Sequence, residues 1–154
     1  MLRHPLLLPL IAAALMLAGG CASTPQASRE RDAAAKEFLT HPATAALYVY
    51  RDSGRGESDD TVLFVDDRPI GSTLPASFFR FDVQPGRHVL HGIGYDNGYL
   101  ALDARPGEIY FIALDTLGGT SSFVLVDDQT GRRAVSRCCA LLENWAPGQR
   151  PLLR

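Results

Sequence analysis

Ser77-Phe78-Phe79-Arg80-Phe81-Asp82-Val83 runs directly into Gln84-Pro85-Gly86-Arg87, and this stretch decides the fold class. Phe79, Phe81 and Val83 recur at every second position with Arg80 and Asp82 between them. That is the period of a strand with one apolar and one polar face. Pro then Gly at the centre of the following four residues suits a type II turn, whose third position needs a positive φ. A strand closed by such a turn is followed by another strand, and His88-Val89-Leu90-His91-Gly92-Ile93 reads as that next strand.

The same grammar extends in both directions. Upstream, Ala45-Ala46-Leu47-Tyr48-Val49-Tyr50-Arg51 and Thr61-Val62-Leu63-Phe64-Val65 are strands by their aromatic and β-branched content. A polar, Gly-containing loop over residues 52–60 separates them, and Asp66-Asp67-Arg68-Pro69 reads as the next turn. Downstream, Asp96-Asn97-Gly98 suits a type I′ hairpin turn, Tyr99 to Asp103 presents Leu100 and Leu102 on one side, and Arg105-Pro106-Gly107-Glu108 repeats the Pro-Gly chemistry. Ile109-Tyr110-Phe111-Ile112-Ala113-Leu114 fits a central strand, and Gly118-Gly119 precedes Ser122-Phe123-Val124-Leu125-Val126. About seven strands with short turns predict a mainly β protein, a small antiparallel β-sandwich.

The C-terminal part has two readings. Val135, Cys138, Cys139 and Leu142 stand at helical spacing, with Leu141 and Trp145 alongside, which predicts an amphipathic helix with both thiols on its packed face. Alternatively, Asp128-Gln129-Thr130-Gly131 is a hairpin turn and residues 132–137 are an eighth strand. The helix is preferred.

The first 21 residues give an address. Arg3 and His4 are followed by the apolar run Leu6-Leu7-Leu8-Pro9-Leu10-Ile11-Ala12-Ala13-Ala14-Leu15-Met16-Leu17 and then by Ala18-Gly19-Gly20-Cys21. A run this short, broken by Pro9 and ended by small residues, reads as a secretory signal, because a membrane span needs about 20 apolar residues. The cysteine after small residues resembles a bacterial lipobox, with Ala18 where Leu is usual. That resemblance implies lipidation of Cys21, a covalent N-terminal lipid as the only attached group, and a membrane partner reached through the anchor. An ordinary signal peptide followed by a chance cysteine is the competing reading. The divisions expected are residues 1–20 as signal peptide, 21–36 as lipidated cysteine and flexible tether, 37–145 as the β-domain and 146–154 as a loose tail. Within the tether, Asp32 to Leu39 carries good helix formers.

The chain of 154 residues has a formal net charge of −2. No basic cluster offers a nucleic-acid surface, so nucleic acid is excluded as an expected partner. With Cys21 lipidated, only the neighbours Cys138 and Cys139 remain. Adjacent cysteines close a strained ring, so buried thiols are the expectation, with a redox role for the pair as an alternative.

The residues that carry chemistry elsewhere do not converge. His88 and His91 stand three apart on a strand and point to opposite faces, so they are not expected to share a metal. Asp59-Asp60, Asp66-Asp67 and Asp127-Asp128 lie at strand ends, where Asp forms turns, and none has the spacing of a calcium loop. Ser121 and Ser122 lack the Gly-x-Ser-x-Gly elbow. Neither catalytic residues nor a metal site is expected. Contacts are expected instead from the 52–60 loop with Arg55 and from the turn bearing Tyr95, Asn97 and Tyr99, because small sandwiches recognise partners through their loops.

Ala46-Leu47-Tyr48-Val49-Tyr50-Arg51, Val65-Asp66-Asp67-Arg68-Pro69-Ile70-Gly71, Val83-Gln84-Pro85-Gly86-Arg87-His88 and Gly107-Glu108-Ile109-Tyr110-Phe111 together resemble a family of bacterial lipoproteins with a single β-domain of unknown function. The Asp-Asp-x-Pro-x-Gly turn followed by Pro-Gly-x-His is similar to PEGA-type modules, which are Ig- or transthyretin-like. The resemblance spans residues 38–126 and implies a β-sandwich on a lipid anchor, with no catalytic residues to carry over. The expected role is a non-catalytic binding or scaffolding module of the bacterial envelope. Its expected place is the outer membrane, facing the periplasm, with the inner membrane as alternative. Another envelope protein or a cell-wall glycan is the expected partner. A hydrolase or metal-dependent enzyme on the same sandwich is the competing class.

Overall fold

Every residue of the strand Ala45–Arg51, β1, is buried, because two separate cores meet on its two faces. Ala45, Leu47 and Val49 enter one core, and Ala46, Tyr48 and Tyr50 enter the other. The computed structural model describes residues 24–52, 61–92, 98–117 and 120–144.

Eight further strands follow β1: β2 (Val62–Val65), β3 (Arg68–Ser72), β4 (Ser77–Val83), β5 (Gly86–His91), β6 (Tyr99–Ala104), β7 (Ile109–Leu117), β8 (Thr120–Val126) and β9 (Ala140–Leu141). Two helices complete the described chain, α1 (Arg29–Ala35) and α2 (Asp128–Cys138). One sheet has the order β8-β7-β1-β4-β9 and the other β3-β2-β5-β6. They pack face to face as a β-sandwich, and the helices cover the outer face of the five-stranded sheet.

The inter-sheet core holds the alternating set of β4, namely Phe79, Phe81 and Val83, against Leu63, Val65, Ile70, Leu90, Leu102, Ile112 and Leu114. Arg80 and Asp82 point the other way and pair at 3.0 Å. Deleting a ring such as Phe79 from this core costs about 3–5 kcal/mol. On the outer face, Tyr48 lies over Phe111 with ring centroids 5.1 Å apart and over Phe78 at 6.0 Å. Phe38 closes that cluster 5.4 Å from Tyr48, and the Arg132 guanidinium of α2 sits 4.9 Å from the Phe38 ring.

The turns obey the local chemistry read from the residues. Gly86 and Gly107 have φ of 137° and 77°, and Glu108 N donates to Arg105 O at 3.3 Å to close the second Pro-Gly turn. Asp66 and Asp67 have φ of 50° and 61° and join β2 to β3, with Val65 opposite Arg68. That is a two-residue type I′ hairpin, so Arg68 and Pro69 begin a strand rather than complete the turn. Pro69 is tolerated because β3 is a sheet edge, where its missing N–H breaks no ladder.

Four expectations need correction. Nine strands are present among the described residues, β3 and β9 being the ones the pattern does not signal. The pairing is not wholly antiparallel, since β1 runs parallel to β7 and β4 parallel to β9. The C-terminal helix begins at the Asp127 N-cap, whose carboxylate accepts from Thr130 N at 2.9 Å. It stops at Cys138: Cys139 is extended (φ −124°, ψ 141°), and Leu142 leaves the helical face to enter the inter-sheet core. The preferred helix is present where the alternative placed a hairpin, and Gly131 within it packs so closely that a side chain there would overlap the Phe111 ring.

The remaining correction concerns the N-terminal segment expected as a tether. Ser28 accepts from Arg31 N and starts α1 earlier than the helix formers suggest, and the positive φ of Phe38 (54°) turns the chain after it. Ahead of the helix, Ala27 N donates to Leu141 O and Glu143 N donates to Pro25 O, both at 2.8 Å. Gln26 bridges Leu142, and Thr24 is 3% exposed. The chain from Thr24 onward is therefore part of the domain. Trp145 and the 146–154 tail lie outside the described residues.

Candidate functional site

The polar groups singled out in the sequence are best followed from the Asp66-Asp67 hairpin. Its positive-φ backbone turns the Asp66 carboxylate back over β5. Oδ1 accepts from Val89 N at 2.9 Å, Oδ2 stands 2.6 Å from His88 Nδ1, and Asp66 N donates to Val89 O at 2.9 Å. The His88 side chain is 1% exposed. Its other nitrogen, Nε2, donates to Gln84 O at 2.7 Å. A carbonyl only accepts, so Nε2 is the donor of that bond. Both ring nitrogens are thus committed to joining the hairpin, β5 and the Pro85-Gly86 turn.

His91 points to the other face, as the strand period requires. It stacks on Phe64 with centroids 5.0 Å apart and planes 5° apart, and Nε2 lies 3.3 Å from Asp67 Oδ1. Among the described residues, no three His, Cys, Asp or Glu side chains are placed to hold a metal ion. Ser121 is buried with its hydroxyl 3.4 Å from that of Thr61, while Ser122 is exposed.

The tyrosines divide sharply. Tyr48 and Tyr50 belong to the outer core, where burial raises both hydroxyls above the usual tyrosine range. Tyr48 also donates to Ala35 O at 2.7 Å, tying β1 to the end of α1. Tyr110 is raised by burial and by the Glu108 carboxylate it touches, and it accepts from Arg105 N at 3.0 Å. Tyr99 alone of these projects from the surface, 71% exposed at the start of β6 and paired in register with His91. Of the expected contact surface, Tyr99 is therefore placed on the β6 edge, whereas Arg55, Tyr95 and Asn97 lie outside the described residues, as does Cys21.

Cys138 and Cys139 are joined in a disulfide between neighbours at the end of α2. This corrects the expectation of two buried thiols. Cys139 is 5% exposed and packs in the outer core.

One organising residue carried no signal in the sequence. Asp32 on α1 accepts from Leu141 N at 2.8 Å and from Lys36 Nζ at 2.7 Å. Its role depends on β9, a two-residue strand too short to show a period. The nearby Arg31 pairs with Glu143, so two side chains of α1 fasten the β9 edge.

Over 134 residues the chain is 31% identical to an uncharacterized protein of Haemophilus influenzae, covering 83% of this chain and 79% of that protein. No family model matches the chain, and no solved structure does.

Proposed function

This chain and that Haemophilus influenzae protein belong to one family, and from that premise we propose that it is a lipid-anchored protein of the bacterial envelope that binds or scaffolds another envelope component without catalysis. The observation that carries the reading is the run Leu6 to Leu17 followed by Ala18-Gly19-Gly20-Cys21, whose thiol takes the lipid. A bacterial relative fits a bacterial processing signal. Support for a non-catalytic role comes from Asp66 and His88, which brace the hairpin to β5 and point into the fold. The PEGA-like turn motifs belong to the same proposal, and so does placement at the outer membrane facing the periplasm.

The anchor is tested by growth with radiolabelled palmitate and by fractionation. Wild type is expected to carry label in the membrane fraction, and Cys21→Ser to lose both label and membrane association. An unlabelled wild type, or a Cys21→Ser variant that stays with the membrane, would overturn it. The contact surface is tested by crosslinking in cells with Tyr95→Ser and Tyr99→Ser. A partner captured equally by both variants and wild type removes these tyrosines from the site.

A second reading gives Cys138 and Cys139 a redox role, favoured by the bond between them. A dithiol reductant would take up the disulfide, leaving two thiols here and a disulfide on itself. Maleimide labelling of the Cys21→Ser protein before and after reduction tests it. No new labelling after reduction removes this reading.

A further inference from the structure

The chain between Cys21 and the domain is short, and this has a consequence for how the domain sits. Glu143 N, Pro25 O, Ala27 N and Leu141 O zip residues 25–27 onto the β9 edge, and Thr24 is 3% exposed with its hydroxyl packed beside Gly71 of β3. The chain therefore emerges between β3 and β9, the edges of the two sheets on one side of the sandwich. Three peptide steps separate Cys21 from Thr24, a reach of about 10 Å when fully extended. A tether running to residue 31 would reach about 30 Å.

We infer, resting on the lipid anchor proposed above, that the side of the sandwich bearing β3 and β9 lies directly against the phospholipid bilayer, with no free tether. The zipped segment fixes orientation as well as height. The opposite side carries β6 and β8, so Tyr99 on the β6 edge points away from the lipid, towards the compartment where a partner would approach. Exposed Arg68 on β3 lies on the membrane side and offers a guanidinium to headgroup phosphates.

The experiment uses the purified full lipoprotein on a supported bilayer of phosphatidylethanolamine and phosphatidylglycerol, with neutron reflectometry reading the water layer under the domain. Wild type is expected to show a gap of about 10 Å or less. Twelve Gly/Ser residues inserted between Ser23 and Thr24 are expected to widen it by about 20 Å. Hydrogen exchange gives the orientation: relative to soluble Cys21→Ser, the outward amides of β3 slow on the bilayer and those of β6 do not. The Ala27 and Glu143 amides stay protected in both proteins. A wild-type gap near 30 Å, unprotected Ala27 and Glu143 amides, or slowing at β6 instead of β3 overturns the seat while leaving the anchor standing. An intact mass showing unmodified Cys21 overturns the anchor and the seat together.

Discussion

Asp66 Oδ2 lies 2.6 Å from His88 Nδ1, so the hairpin between β2 and β3 is locked to β5 by a side chain that the turn conformation itself aims inward. The contact joins an edge hairpin to the middle of a sheet, and His88 has no solvent to replace a lost partner.

Asp66→Ala is expected to destabilise the protein by about 2 kcal/mol, because it strands the Val89 amide and the Nδ1 side of a buried ring. Asp66→Asn is expected to lose far less. Its oxygen accepts from Val89 N, and its amide donates to a neutral His88 that still donates from Nε2 to Gln84 O. Urea unfolding of the two variants checks this, and equal losses would remove the hydrogen-bond account.

Gly131→Ala is expected to cost the upper part of about 1–3 kcal/mol, since an added methyl meets the Phe111 ring within the α2 packing. Ser136→Ala, on the exposed face of the same helix, is expected to change stability by less than about 0.5 kcal/mol. Comparing denaturant midpoints at unchanged slope separates packing from helix propensity.

Asp127 caps α2, and its hydrogen bonds to Thr130 hold the carboxyl below its usual range. A carboxyl lowered in the folded state stabilises it at neutral pH, and that contribution disappears as pH falls through the folded value. Asp127→Asn keeps a capping oxygen without the charge. The melting temperature of wild type is therefore expected to exceed that of the variant at pH 7, and the gap to shrink as the pH falls below the usual aspartate range. A difference independent of pH would separate the cap from its charge.

Tyr48 is raised by burial, the opposite sign. The folded state keeps this proton more tightly than the unfolded chain, so its contribution is complete below the unfolded value near 10 and is lost as pH rises. Tyr48→Phe also gives up the hydrogen bond to Ala35 O and is expected to cost about 1 kcal/mol at pH 7. The gap to wild type is expected to narrow at pH 10.5, read as urea midpoints, with Tyr50 and Tyr110 still titrating in both proteins.

Where the strands and turns lie is written locally. Phe79, Phe81 and Val83 alternate because successive side chains of a strand leave opposite faces. Gly86 and Gly107 stand where a turn needs positive φ, and Asp66-Asp67 marks a hairpin because Asp tolerates the left-handed region. The address proposed from Cys21 is equally local, since processing reads a short linear signal. These features depend on neighbours within a few residues, so the order of residues alone determined them.

Pairing and coverage depend on residues far apart in the chain. Nothing near Ala45–Arg51 says that β1 will run parallel to β7, or that its second face, with Tyr48 and Tyr50, will be covered as fully as the face with Leu47 and Val49. Pro69 reads as turn chemistry until the sheet leaves β3 at an edge, and Ala140–Leu141 is too short to carry a period. Residues 24–27 look like linker because their order comes from backbone hydrogen bonds to β9, which small polar side chains do not advertise. Nothing near Gly131 says that its missing side chain makes room for the Phe111 ring. Local conformational preference determined the elements of this protein; only the tertiary structure, through backbone pairing and close packing between distant segments, decided which edges are covered and where residues 24–27 join the domain.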